Sequence, residues 1–202
     1  MWFNNFKTYI ENVVKDPDLL SDPTRIYNAD ETGVSLCLKG SLVIGVNGTP
    51  VVYQFGNSDK TQITVMAACS AAAHFLPPML VFPGQRFTYN PLDGFEEAVL
   101  GRLDNGWMDS TLFYSWLETE FIQAINEHKV KKPVLFLMDG HKTHVTMEAS
   151  DLCLSNEIEL YCLLEHASHI MQPLNLRFFA VLKRNWKQAV RDWQLQNIGS
   201  YG

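Results

Sequence analysis

Two aspartates each close a short, mostly apolar run: Asp30 ends RIYNAD at 25–30, and Asp139 ends VLFLMD at 134–139. In α/β sheets, ligands gather beyond strand ends. If the two runs are neighbouring strands, the carboxylates converge, and like charges at close range require a proton or a cation between them. Oxygen ligands suit Mg2+ or Mn2+, and a pair of such ions about 3.5–4 Å apart can drive in-line attack on a phosphodiester. Aspartate is also a common turn residue. Glu31-Thr32-Gly33 and Gly140 follow the two acids, so a turn role stays open beside the metal role.

Histidines form two pairs at i, i+3: His141 and His144 in HKTH, His166 and His169 in HASH. Four imidazoles could build a zinc module, although zinc signatures usually mix in cysteine. Cys37, Cys69, Cys153 and Cys162 have no CxxC spacing and read as buried free thiols in a reducing compartment. Loop histidines that bond backbone, contact a phosphate or support a metal site from behind are the competing readings.

These residues need elements to position them. Residues 1–20 read as a helix and its exit, and 25–30 as a strand that stops at its acid. Asn47-Gly48 marks a hairpin, with strands expected at 53–55, 61–69 and 75–82. Pro77 and Pro78 push the last of these to a sheet edge or a bulge. Residues 83–107 carry Gly84, Pro91, Asp93-Gly94 and Asn105-Gly106 and read as a long loop with one helical turn. A helix follows at 109–129, capped by Asp109 or Ser110, with Leu112, Phe113, Trp116, Leu117, Phe121 and Ile125 on one face. VLFLMD has the pattern of a central strand buried on both faces. A short helix at 147–156, a strand at 158–164 and a last helix from about 176 to 195 complete the chain. That helix has an apolar stripe of Phe179, Leu182, Trp186, Val190 and Trp193, and an opposite face with Lys183, Arg184, Lys187 and Arg191. The order predicts an α/β domain with a mixed sheet, an early meander and later helical crossovers.

The chain has 202 residues, enough for one domain with a full core, and is 47% hydrophobic, which excludes disorder. No run of about 18 apolar residues is present, so no membrane partner is expected. A net charge of −6 argues against holding DNA by bulk charge and calls for a local basic face or bound cations.

NADETG (28–33), LMDGHKTH (137–144) and HASHIMQPL (166–174) together resemble the three blocks of the DDE superfamily endonuclease domain. The branch is that of pogo and Tigger transposases, also found in centromere protein B and jerky-type proteins. GWMDSTLFYSWLE (106–118) is similar to the block before the central helix, and the likeness runs from about 22 to 191. The resemblance implies an RNase H-like fold, a five-stranded mixed sheet flanked by helices, behind a helical lead-in at 1–21 and with the domain ending near 195. It implies a nuclear DNA-binding protein in which three acids hold two Mg2+ or Mn2+ ions that cut and rejoin strands. Asp30 and Asp139 match the first two acids. The third follows Gln-Pro-Leu and is here Asn175, an amide that can also serve as a helix N-cap. An amide offers one neutral oxygen and no charge, and loss of one stabilising group at an active site typically costs roughly a hundred- to thousand-fold in rate. His141, His144, His169 and Gln172 take supporting places. Arg86, with Phe87 and Tyr89 beside it, and Lys183, Arg184 and Lys187 are candidate DNA contacts. Relatives place helix-turn-helix modules ahead of this domain, and none is read after Met1. Two functions compete: an attenuated DDE strand-cleaving enzyme, and a non-catalytic domesticated domain that binds DNA or protein. Whether the chain pairs as a homodimer is open.

Overall fold

The computed structural model describes residues 2–37, 47–48, 61–84, 86–140, 145–164 and 167–197. The first helix, α1 (Trp2–Tyr9), runs into a wide π-helical turn, Ile10–Val14. Among the described residues six strands follow: β1 (Ile26–Ser35), β2 (Gln62–Ser70), β3 (Met79–Pro83), β4 (Val99–Leu103), β5 (Val134–Met138) and β6 (Ile158–Cys162). Between β4 and β5 lies one helical run, α2 (Ser110–Trp116), a π turn and α3 (Ile122–Glu127). Helix α4 (Met147–Ser155) connects β5 to β6, and α5 (Ser168–Met171) and α6 (Phe179–Gln196) close the chain. Side-chain caps agree with the sequence signals: Asp109 accepts from Leu112 N at 2.8 Å, and Thr146 accepts from Ala149 N at 3.2 Å.

The strands form one mixed sheet in the order β4-β3-β2-β1-β5-β6. β1, β2 and β3 make the antiparallel meander, and β5 and β6 add in parallel beyond β1. This is the expected RNase H-like architecture, with six strands among the described residues rather than five. The additional strand, β4, pairs in parallel with β3 inside the stretch expected to be a long loop. Gly101 sits in the middle of this strand. A Cβ there would lie 3.0 Å from Val81 and 3.2 Å from Leu112, so the glycine lets α2 lie close over the sheet. With β4 in place, β3 is not an edge strand. The two prolines sit before it, after an isolated bridge from Phe75 to Cys69.

β1 is also longer than expected. It continues past Asp30 to Ser35 and stays paired with β2 throughout, so no turn follows the acid. Asn47-Gly48 does form a turn, with Gly48 at φ +88°, and the strand expected at 53–55 lies outside the described residues.

Alternation on the strands sorts the core. Val134, Phe136 and Met138 of β5 and Tyr27 and Ala29 of β1 join the large cluster under α2, α3 and α4. Leu135 and Leu137 face the other way and pack with Phe6, Tyr9 and Ile10 of the N-terminal segment. On that second side α6 lays Leu182 and Trp186 over Val34, Ile63 and Val65. Of the expected stripe, Phe179 and Val190 are buried, whereas Trp193 is 51% exposed.

Arg25, fully buried, sets the alignment of the two acid-bearing strands. Its Nε and one terminal nitrogen donate to Pro133 O at 3.1 and 2.9 Å, and that terminal nitrogen also meets Asp16 Oδ2 at 2.5 Å. The start of β1 is thereby tied to the residue before β5.

Candidate functional site

β1 and β5 pair in parallel with Ile26 opposite Leu135, Tyr27 opposite Phe136 and Asn28 opposite Leu137. Continuing the register by two residues sets Asp30 beside Asp139. Both positions share a face by alternation, Asp30 with Asn28, and Asp139 with Leu137. That face is the one covered by the chain entering α6. Asp30 is 7% exposed and Asp139 half-buried, just beyond the end of β5. On β6, opposite Met138, the thiol of Cys162 is pushed up, first by burial and then by the charge of Asp139.

The third element is a π-helical turn, Leu174–Phe178, which leads into α6. Asn175 lies inside this turn and not ahead of it. The residue at the N-cap position is Pro173, with no side-chain cap, so the N-cap role expected for Asn175 is not the one it plays. Its Nδ2 donates instead to Asp30 Oδ2 at 2.6 Å.

Gln172, 0% exposed, completes the group. With its Nε2 toward Asp30, it donates to Oδ1 at 3.0 Å and Oδ2 at 2.5 Å, while its Oε1 accepts from Asp139 N at 3.3 Å. The reverse orientation lets Gln172 accept from Asn175 Nδ2 at 2.7 Å. It also sets acceptor against acceptor at Asp30 and donor against donor at Asp139. The first orientation in turn brings Gln172 Nε2 to 2.7 Å from Asn175 Nδ2, donor against donor, so each orientation leaves one pair of like groups in contact at this corner.

Asn28 was not among the expected site residues. It is 4% exposed; its Nδ2 donates to Leu137 O at 3.0 Å and its Oδ1 accepts from Leu174 N at 3.5 Å. It thus joins β1, β5 and the Asn175 turn at one point. The available signal was an asparagine two residues before an acid in an otherwise apolar strand, a polar side chain bound for the same face.

The structure therefore brings Asp30, Asp139, Asn175 and Gln172 together. His141, His144 and His166, and the side chain of His169, lie outside the described residues. Among the described residues, no group of three or more His, Cys, Asp or Glu could hold a metal. Mg2+ and Mn2+ take oxygen ligands. Asp30 Oδ2 instead receives an N–H group from Asn175 at 2.6 Å, so in this orientation the amide turns its nitrogen and not its oxygen to the carboxylate, which does not fit a divalent ion shared by the two side chains.

Lys183, Arg184 and Lys187 are exposed on α6 and, with Arg191, line a shallow groove along it. At 1.5 Å per residue, Lys183 is about 12 Å along the helix from Asn175. Arg86 is exposed in the segment after β3. Its neighbour Phe87 packs at 5.8 Å from Phe82, which rests on the same cluster as Leu182 and Trp186 of α6. Arg102 lies 5.5 Å over the Phe87 ring, and Tyr89 is 64% exposed.

The fold is shared with solved transposase structures. In the paired-end complex of Mos1 transposase with the left transposon end, the similarity covers 98% of this chain and 53% of that one, at a TM-score of 0.60 and 14% identity. The Mos1 catalytic domain with raltegravir and Mg gives 0.54 at 13% identity, over 98% of this chain and 80% of that one. Another Mos1 complex contains Mn. At these identities the likeness concerns the fold, and the chain spans about half the length of the Mos1 chain in the paired-end complex. A protein of Cochliobolus lunatus named MFS-type transporter clz9 is 28% identical over 174 residues, 82% of this chain but 18% of that protein. Among the described residues no helix is long and apolar enough to cross a membrane. Residues 60–200 match the model of the DDE superfamily endonuclease family. That match spans more than half of the sequence and joins the sheet to the segment that brings Asn175 against Asp30: the chain belongs to the DDE superfamily endonuclease family.

Proposed function

We propose that this chain is a transposase-derived, nucleic-acid-binding domain of the pogo and Tigger branch, with residues 22–195 as its working unit. Its ancestral Mg2+- or Mn2+-dependent strand cleavage and transfer is attenuated at Asn175. Asp30 and Asp139 are the two retained acids of the catalytic triad. The observation that carries the reading is the 2.6 Å hydrogen bond from Asn175 Nδ2 to Asp30 Oδ2. It supports a triad corner assembled in space yet one charge short. DNA is the partner, held by the exposed Lys183, Arg184 and Lys187 on α6 and by Arg86, an arrangement by which a chain of net charge −6 can still meet a polyanion. Work on chromosomal DNA implies a nuclear location.

The test is a nicking assay on duplex DNA with Mn2+. Asn175→Asp is expected to raise cleavage by roughly a hundred- to thousand-fold over the parent. In parallel, alanine at Lys183, Arg184 and Lys187 lowers DNA affinity, and the salt slope of binding falls by about one for each phosphate no longer neutralised. A restored protein that neither cuts nor binds DNA ends this reading. DNA binding that persists while Asn175→Asp cuts nothing favours the second one, a non-catalytic domesticated domain, for which the amide-filled corner is the supporting observation.

A further inference from the structure

The geometry points to a metal site away from the acids: His74 and His128 form a two-imidazole chelate for a divalent late transition-metal ion, Cu2+ or Ni2+, whose remaining positions are open to water. Four of the six histidines fall in HKTH and HASH, and these two are the others. Far apart in the chain, they meet in the fold with ring centroids 4.5 Å apart and planes at 86°. Both residues are exposed, and among the described residues neither imidazole makes a hydrogen bond or an ion pair, so the ring nitrogens are available to an ion.

The spacing is that of a chelate. A metal–imidazole bond of about 2.0–2.1 Å puts the ion roughly 3.2 Å from the ring centroid. Two rings at a right angle about one ion then have centroids about 4.5 Å apart, against about 5.2 Å for a tetrahedral angle. The observed separation matches the right angle of square-planar or tetragonal coordination, which Cu2+ and Ni2+ favour, whereas Zn2+ favours the tetrahedral one. Each Cβ–Cγ bond points through its ring centre, so turning a ring about it aims a nitrogen without changing this separation.

The backbone holds both rings in place. His74 closes the turn after β2: Ser70 N donates to His74 O at 2.9 Å, and His74 N donates to Ser70 Oγ at 3.2 Å. Ala73, just before it, has φ +61°. His128 ends α3, its N–H donating to Ala124 O at 3.0 Å. Lys129, just after it, has φ +52°, and Val130 N donates back to Ile125 O at 3.0 Å. Both left-handed positions are ones that glycine usually takes, in a three-residue hairpin loop and just past a helix end. A side chain there narrows the backbone freedom beside each histidine. Among the described residues four non-glycine residues are left-handed, and two of them flank this pair, the kind of stored strain that gathers at sites. Ser70 pairs with Tyr27, three residues before Asp30, so the turn lies about 10 Å along the sheet from the level of the acid corner. No third His, Cys, Asp or Glu joins the two among the described residues, so the protein supplies two ligands. An ion held by them ties the turn to the end of α3 in the folded state alone, and so stabilises that state by mass action.

The experiment is calorimetric titration of the full chain with NiCl2 and with CuCl2, in excess MgCl2, which prefers oxygen ligands and does not compete for imidazole. The parent, His74→Ala, His128→Ala and the double variant are compared. The parent is expected to take up one equivalent that each single variant loses, and the double variant loses no more than either, the non-additivity of a shared ion. Copper binds more tightly than nickel, as the general order of divalent affinities requires. At about 100 times its Kd the ion raises the parent's Tm by roughly 5–10 °C more than that of either variant. Loss of the equivalent in one single variant but not the other means that one imidazole holds the ion alone, which overturns the chelate. Equal uptake by all four proteins puts the metal on other histidines and overturns it too. A measurement on the parent needs no variant to fold: bound Ni2+ should shield His74 and His128 together from diethyl pyrocarbonate, as read by peptide mass spectrometry. Modification of either one at the metal-free rate refutes the proposal.

Discussion

The two faces of the sheet are built on different rules. Under α2, α3 and α4 lies one continuous apolar cluster, with Phe121 stacked on Phe136 at 4.2 Å and Trp116, Phe113 and Leu117 fully buried. Under α1 and α6 the apolar packing is divided into three smaller clusters. Between them stand buried polar groups: Asn28, Asp30, Thr32 and Gln172. The first face holds the fold by area removed from water. The second gives up part of that area to hold polar atoms in fixed positions by directed hydrogen bonds. A site is found where packing is interrupted, and the larger apolar cluster opposite supplies the stability that makes the interruption tolerable.

That contrast can be broken most forcefully on the apolar side. Trp116→Ala or Phe121→Ala should cost about 3–5 kcal/mol in urea unfolding, the range for a large aromatic removed from a close-packed core. A cost near that of a surface substitution would mean that the first face is not the main support. On the polar side, Asn28→Leu keeps volume but leaves Leu137 O without its amide donor. Stability should fall by about 1–3 kcal/mol, with no larger change in the denaturant slope. Lys187→Ala, on the exposed groove of α6, should leave stability within about 0.5 kcal/mol while lowering the salt slope of DNA binding by about one. Reduced stability without any change in that slope would reassign the residue to the fold.

Two titrating groups sharpen the comparison further. Burial pushes the Cys153 thiol up to about 12, so iodoacetamide at pH 8 should leave it unmodified until the apolar face unfolds, as read by mass spectrometry. At the margin of the second face, the hydrogen bond from Arg25 holds the Asp16 carboxyl below its ordinary value of 3.8. A depressed folded-state value contributes stability that is fully present above the unfolded value and is lost as pH falls through the folded one. The stability gap between the parent and Asp16→Asn should therefore be constant near neutral pH and shrink below about pH 4. A gap that widened in acid would reverse the assignment.

Local patterns carried much of this architecture. Continuous apolar residues announced β5, the Asp109 cap and the 3.6-residue periodicity announced the α2–α3 run, and β2 fell within a residue of its expected bounds. Errors arose where a residue served a distant neighbour. β4 stayed hidden because Gly101 thins its apolar pattern, and the need for that glycine comes from Val81 and Leu112. Pro77 and Pro78 suggested an edge because β4 could not be seen. β1 ended too early because its second half is held by β2 rather than by its own composition.

By itself, the sequence determined the alternation that puts Asp30 and Asp139 on one face, the order of the blocks and the amide at 175. Tertiary structure alone decided that the amide turns its nitrogen to Asp30, that Gln172 is buried against Asp30 and Asn175 and that Asn28 pins the turn. The reason is separation along the chain. Those contacts join residues 108, 109 and 145 positions apart, through Arg25 to Pro133, Asn28 to Leu137 and Asp30 to Asn175. Local periodicity reports which face a side chain takes, whereas strand register, set here by Arg25 and Asn28, decides which partner it meets there.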